Sequence, residues 1–156
     1  MADMSTNKFW DTVWSRPYGR YNRHHQEIWN KVQPYLKGEV LDIGCGVAML
    51  YKDKNIDLTG VDFSAEALEQ AKKNYPKGNY FLADARSTGL PDGKFDTVMM
   101  LGLLDYFDDW TQMINEAKRV CKKDGRIMAT LLNGFRGHDW TKYSHVVGNW
   151  YLYEIQ

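Results

Sequence analysis

Apolar residues along this chain alternate between short continuous runs and helical stripes. Val40, Leu41 and Ile43 form one run, Asp57–Val61 a second, Asn79–Leu82 a third, Phe95–Leu101 a fourth and Arg126–Leu132 a fifth. Runs of that length with turn residues at their ends fit strands buried in a sheet. Between them the spacing changes to three and four. Leu68, Ala71 and Tyr75 make one helical stripe and Trp110, Met113, Ala117 and Val120 another. The first of these helices is headed by Ser64 with Glu66 in its opening turn and closed by Pro76-Lys77-Gly78. The second ends on Lys122-Lys123 and Gly125. Ahead of the first strand, Asn7–Trp14 predicts a short helix bearing Phe9, Trp10, Val13 and Trp14. Tyr21, His25, Ile28, Trp29 and Val32 predict a second that stops before Pro34. Strands alternating with helices indicate an α/β fold, a doubly wound and mostly parallel sheet.

The stretch Val40–Leu50, VLDIGCGVAML, is where chemistry first enters. A strand runs into Gly44, Cys45 and Gly46, and Val47–Tyr51 reads as the opening of a helix. In open α/β sheets, ligands bind at the carboxyl ends of strands, and glycine lets backbone approach them closely. A dinucleotide fingerprint would need a small residue where Met49 stands, and no phosphate-binding G-x-x-x-x-G-K-[ST] run occurs. An ordinary tight turn without a ligand is the bland alternative. Asp62 ends the second strand twenty residues after Asp42 and suits either a pair of ribose hydroxyls or the cap of the following helix. Phe63 could pack on a base.

The 156 residues make one domain with an ordinary hydrophobic fraction of 44%. Twenty basic and twenty acidic side chains balance, so no global field draws the protein to nucleic acid or to an anionic membrane. Cys45 and Cys121 have neither disulfide nor metal-ligand spacing and read as space-fillers, and no metal is expected. His24 and His25 are adjacent and diverge on a helix. The polar N-terminus and the lack of a long apolar run indicate a cytoplasmic protein with no membrane span.

Asp42, Gly44, Gly46 and Ala48 on alternate positions, with GCG at the centre, resemble motif I of the class I S-adenosylmethionine-dependent methyltransferases, although that family usually has glycine where Ala48 stands. FLADA at 81–85, LPDGKFDTV at 90–98, LGLLDYFDDW at 101–110 and EAKRVCKKDGRIMATLLN at 116–133 are similar to further elements of the same family, so the resemblance covers residues 38–133. It implies S-adenosylmethionine as cofactor. The glycine turn with Asp42 and Cys45 would cradle the methionine moiety, Asp62 the ribose, Asp84 and Ala85 the adenine, while Leu101 and Gly102 line the methyl side.

The same resemblance makes residues 1–37 a helical lid, with Arg16, Tyr18, Arg20, Tyr21 and Arg23 either reaching the methionine carboxylate or forming a solvated basic face. The segment after the fourth strand lacks the [DN]-P-P-[YF] of nucleobase methyltransferases and the Pro-Cys of cytosine ones, and its LGLLDYFDDW instead resembles the small-molecule branch of the family. Asp105 and Tyr106 are then candidates for substrate contact or a weak base, unless Tyr106 packs and Asp108-Asp109 start the next helix. His138 and His145 are candidate bases or surface polar residues.

Only 23 residues follow Asn133, whereas the usual final helix and strand pair need roughly 35–50. The C-terminal strands are therefore expected to be reduced or missing, with Trp150–Tyr153 as one strand. That would leave the fifth strand with an open edge for a second copy or another partner. Two functions follow from different classes: methyl transfer to a small molecule, or a cofactor-binding, non-catalytic subunit docked through that edge. A nicotinamide-dependent oxidoreductase is disfavoured by Met49.

Overall fold

The computed structural model describes residues 6–15, 22–132, 141–147 and 150–155. Seven strands form one sheet in the order β3-β2-β1-β4-β5-β7-β6. β1 (Glu39–Ile43) lies between β2 (Asp57–Asp62) and β4 (Phe95–Met100), with β3 (Asn79–Leu82) outside β2 and β5 (Cys121–Leu132) outside β4. These five run parallel. Four of the five β1 residues are buried, as expected for a strand covered on both faces.

Alternation along the strands divides the core in two. Leu41, Ile43, Val98, Met100 and Ala129 face the helix α4 (Thr111–Val120), which supplies Met113, Ala117 and Val120. Val40, Leu58, Met99 and Met128 face the other way. There α2 (Asn22–Val32) supplies Trp29 and Val32, and α3 (Ala65–Asn74) supplies Ala71. Ser64 caps α3, its hydroxyl accepting from Ala67 N–H at 3.2 Å, with Glu66 in the first turn. The short α1 (Asn7–Trp14) has half-buried aromatic residues and none fully buried.

Three expectations are corrected. The helix predicted from Val47 is a single 3-10 turn, Met49–Tyr51. Left-handed backbone at Ala48 and Asp53 breaks it on both sides, and residues 44–56 are spent returning the chain to β2. Tyr51, fully buried, fills the space and meets the Trp29 ring edge-on at 6.5 Å.

β5 begins at Cys121, directly after α4, rather than at Arg126. The four residues between absorb a register shift in which Phe95 pairs with Cys121 but Thr97 with Arg126.

The third correction concerns the C-terminus, which is short yet carries both strands. β7 (Trp150–Ile155) runs antiparallel to β5 from Ile127↔Ile155 to Leu132↔Trp150, and β6 (Thr141–Val147) pairs with β7. Val147 pairs with Trp150, so only Gly148 and Asn149 separate the strands, and a hairpin needs far fewer residues than a helical crossover. The fifth strand therefore has no open edge. The sheet instead ends at β6 and at β3, where Phe81 and Leu82 are exposed because residues 83–94 form no helix over them.

Candidate functional site

The carboxyl ends of β1, β2, β3 and β4 meet at one cleft, partly open to solvent, at the place where open α/β sheets bind their ligands. β1 contributes Gly44, β2 Asp62 with Phe63, the turn after β3 Asp84 with Ala85 and Arg86, and the segment after β4 Gly102, Leu103, Tyr106 and Phe107.

Gly44 and Gly46 hold φ of +76° and +52°, a region side chains rarely enter. The turn is pinned to β2: Gly44 N–H and Cys45 N–H both donate to the Val61 carbonyl, at 2.7 and 3.0 Å, and Gly46 N–H donates to Asp62 Oδ2 at 2.9 Å. Its amide hydrogens are thus committed, and it can offer a ligand close backbone contact and carbonyl acceptors. Asp62 Oδ1 also accepts from Ser64 N–H at 2.9 Å. Burial pushes the Asp62 carboxyl up, and the Ser64, Gly46 and Phe63 amides partly offset this. Each of its oxygens keeps a second lone pair for a hydroxyl donor.

Asp84 is held differently. Arg86 grips it with a fork, Nε to Oδ1 at 2.9 Å and Nη2 to Oδ2 at 2.6 Å, and the Arg86 N–H adds a third bond. That fork keeps the carboxyl below its ordinary range. Gly102 N–H donates to the buried Thr130 hydroxyl at 2.7 Å, which fixes the end of β4 against β5.

Of the residues read from the sequence, Gly44, Asp62, Phe63, Asp84, Ala85, Gly102 and Tyr106 come together in the lining. Others stand apart. Leu101 packs in the α2-side core. Asp105 is exposed beside the cleft, and Asp109 serves α4, accepting from Thr111 N–H at 2.9 Å. Cys45 is buried under the turn with its thiol pushed up by burial, which makes it inert.

Asp42 is buried beneath the turn, where Oδ2 accepts from the Tyr51 hydroxyl at 2.8 Å and Oδ1 has no partner among the described residues. Burial raises its carboxyl to about 7. Tyr18, Tyr21 and His138 lie outside the described residues, and His145 lies on β6.

Sequence reasoning missed Trp10, Trp14, Arg86, Leu103 and Phe107. The tryptophans had a signal: aromatic residues four apart on a helix that has no sheet to cover must pack on something else.

A family model described as a methyltransferase domain matches residues 41–129, more than half of the chain. The chain belongs to that family. It is the class I S-adenosylmethionine-dependent methyltransferase family, and β1 through β5 with this cleft form its Rossmann-like core. The chain is 32% identical over 100 residues to a phosphatidylethanolamine N-methyltransferase of Cereibacter sphaeroides, covering 58% of this chain and 49% of that one. It is 33% identical over 95 residues to a demethylmenaquinone methyltransferase of Thermotoga maritima, covering 58% and 42%.

A crystal structure from Thermotoga maritima, described as a methyltransferase dependent on the same cofactor and a possible histamine N-methyltransferase, superposes with a TM-score of 0.63 at 23% identity. It covers 81% of this chain and 56% of that one, and the likeness is one of fold. The chain thus spans about half the length of the curated relatives it matches. Among the described residues no helix is long and apolar enough to cross a membrane.

Proposed function

We propose that this chain binds S-adenosylmethionine in the cleft and transfers its methyl group to a small molecule. The observation that supports this most is the convergence of Gly44, Asp62, Asp84 and Gly102, from four successive parallel strands, on one lining. When bound, the cofactor supplies an electrophilic methyl on a sulfonium that is already a good leaving group.

The protein's part is to hold and to shield. The glycine turn receives the methionine end through backbone carbonyls. Asp62, already oriented by two amide donors, accepts the ribose hydroxyls. Asp84 and the Ala85 backbone take the adenine edge, and Arg86 keeps Asp84 ionised and aimed. Gly102 leaves room at the reacting carbon, and Tyr106 borders the acceptor's approach. The phosphatidylethanolamine and demethylmenaquinone methyltransferases among the relatives support a small-molecule acceptor. A non-catalytic subunit docked through the fifth strand loses its motivation, since β7 covers that edge.

The test is calorimetric titration with S-adenosylmethionine and S-adenosylhomocysteine, beside Asp62→Ala. Micromolar binding by the wild type, weakened at least tenfold in D62A, is the expected result. A folded wild-type protein that binds neither would overturn the reading.

A further inference from the structure

The helix α1 lies across the cleft and is fastened on both sides of it. On the ribose side the Ser64 hydroxyl donates to Asp11 Oδ1 at 2.5 Å, and Gln70 Nε2 donates to the Trp14 carbonyl at 2.5 Å. Ser64 caps α3 two residues after Asp62, and Gln70 lies in the middle of the same helix. On the methyl side the Trp10 ring meets Tyr106 edge-on, with centroids 4.6 Å apart. Between these anchors Trp10 and Trp14 line the cleft. The Trp14 indole lies so close over the glycine turn that a Cβ on Gly46 would stand 2.9 Å from Cζ2.

Helix α1 contributes no fully buried residue to the core. These contacts tie it to α3 and to Tyr106, and an eight-residue helix does not hold itself together in water. Ser64 is fully buried, and its hydroxyl simultaneously accepts from Ala67 N–H as the α3 cap. The latch is thus tied to the turn that presents Asp62.

We infer that Asp11 and Gln70 are positioning residues, latching α1 as a roof over the cofactor cleft so that ligand exchange requires the latch to open. The inference rests on the proposed cofactor site. Neither residue touches the cofactor. They act through Trp10 and Trp14, which exclude water from the glycine turn and the methyl side. Removing the Asp11 acceptor strips the Ser64 hydroxyl of its partner and frees the near end of the roof, while the α3 cap, Asp62 and the glycine turn stay in place.

Two readouts on the full chain separate this from failure of the cofactor reading. The first is the dissociation rate of S-adenosylhomocysteine, followed by stopped-flow tryptophan fluorescence. The second needs no ligand: the rate of tryptic cleavage after Lys8, which lies in the first turn of α1, three residues before Asp11, and is cut when that turn opens. In Asp11→Ala both rates rise about tenfold, the scale of one lost hydrogen bond to a charged group. Gln70→Ala raises both by a smaller factor. Asp11→Asn, which keeps an acceptor oxygen, stays within about threefold of wild type. The thermal midpoint of D11A changes little, because α1 adds nothing to the core.

Faster cleavage with unchanged dissociation would overturn the roof, and unchanged cleavage would overturn the latch. Wild-type protein that binds neither cofactor nor product removes the exchange role with the proposed function, and the cleavage rates still decide whether Asp11 holds α1.

Discussion

Replacing Asp42 by asparagine should make this protein more stable at alkaline pH and flatten its pH dependence. Asp42 is 4% exposed, with one oxygen bonded to Tyr51 and the other unpartnered among the described residues. Burial, more than the nearby Asp62 charge, raises its carboxyl from 3.8 to about 7. The folded state therefore holds the proton more tightly than the unfolded chain. Below about pH 4 both states are protonated and the group costs nothing. Between 4 and 7 the folded state carries the extra proton, so stability falls as pH rises. Above 7 the full cost is present, roughly three pH units at about 1.4 kcal/mol each, on the order of 4 kcal/mol.

Asp42→Asn keeps an oxygen to accept from Tyr51 and removes the titration, but leaves an amide NH2 group where Oδ1 has no partner, at about 1–3 kcal/mol. Net stabilisation of roughly 1–3 kcal/mol at pH 8 follows, fading to none or reversing near pH 4. Urea unfolding of both proteins at half-unit steps from pH 4.5 to 8.5 measures the difference. Wild-type and D42N stabilities that run parallel over that range would refute the reasoning, since they would mean that Asp42 titrates alike in the folded and unfolded chains.

Glu116 should show the opposite sign. Arg119 and the Thr88 hydroxyl and amide bind its carboxylate and lower it from 4.5 to about 2. Its contribution is complete above pH 4.5 and is lost as pH falls toward 2, so Glu116→Gln should flatten the acid limb of the urea stability profile. Gly60→Ala should lower stability by about 1–3 kcal/mol, because the added Cβ would stand 2.7 Å from Cys45 Sγ and 2.8 Å from the Tyr80 ring. Cys45→Ala in the same chain should restore part of that loss in thermal unfolding, and a full loss in the double variant would exclude the thiol contact as a cause.

The strands were legible because a strand buried on both faces leaves a continuous apolar run, as in VLDI and DTVMM, and a parallel sheet makes every such strand one of these. The strand ends that line the cleft were legible for a related reason. An acidic residue or glycine directly after an apolar run has few structural uses, and Gly44, Asp62, Asp84 and Gly102 do line one cleft.

Direction was harder to read. Asp42 and Gly44 differ by one alternation along a strand, yet Asp42 lies buried with Tyr51 while Gly44 faces the cleft, and only the three-dimensional register separates them. The helix expected after Gly46 failed because Leu50 and Tyr51 are apolar for a different reason: they pack into the core on the α2 side. The C-terminal hairpin had a signal in Gly148-Asn149 between two strand-forming runs, but residue counting based on a helical crossover hid it. Trp10 and Trp14 look like core residues in composition, and their role depends on what lies beneath α1.

The cleft is built from strand ends and connectors, so it survives where connecting helices are short or absent, but each connector then needs another anchor. For residues 44–56 the anchor is Tyr51, inserted between Asp42 and Trp29. For residues 83–94, which carry the cleft-lining pair Asp84 and Arg86, it is α4. Glu116 grips Thr88 by backbone and hydroxyl, Arg119 bonds both Glu116 and Asp92, and Gly93 and Lys94 N–H donate to the Arg119 and Val120 carbonyls. Four points on one helix thus fix a connector that has no helix of its own. The Glu116 network therefore reaches beyond stability. Loosening it should weaken cofactor binding through the placement of Asp84, while leaving the glycine turn, held from β2 by Val61 and Asp62, undisturbed.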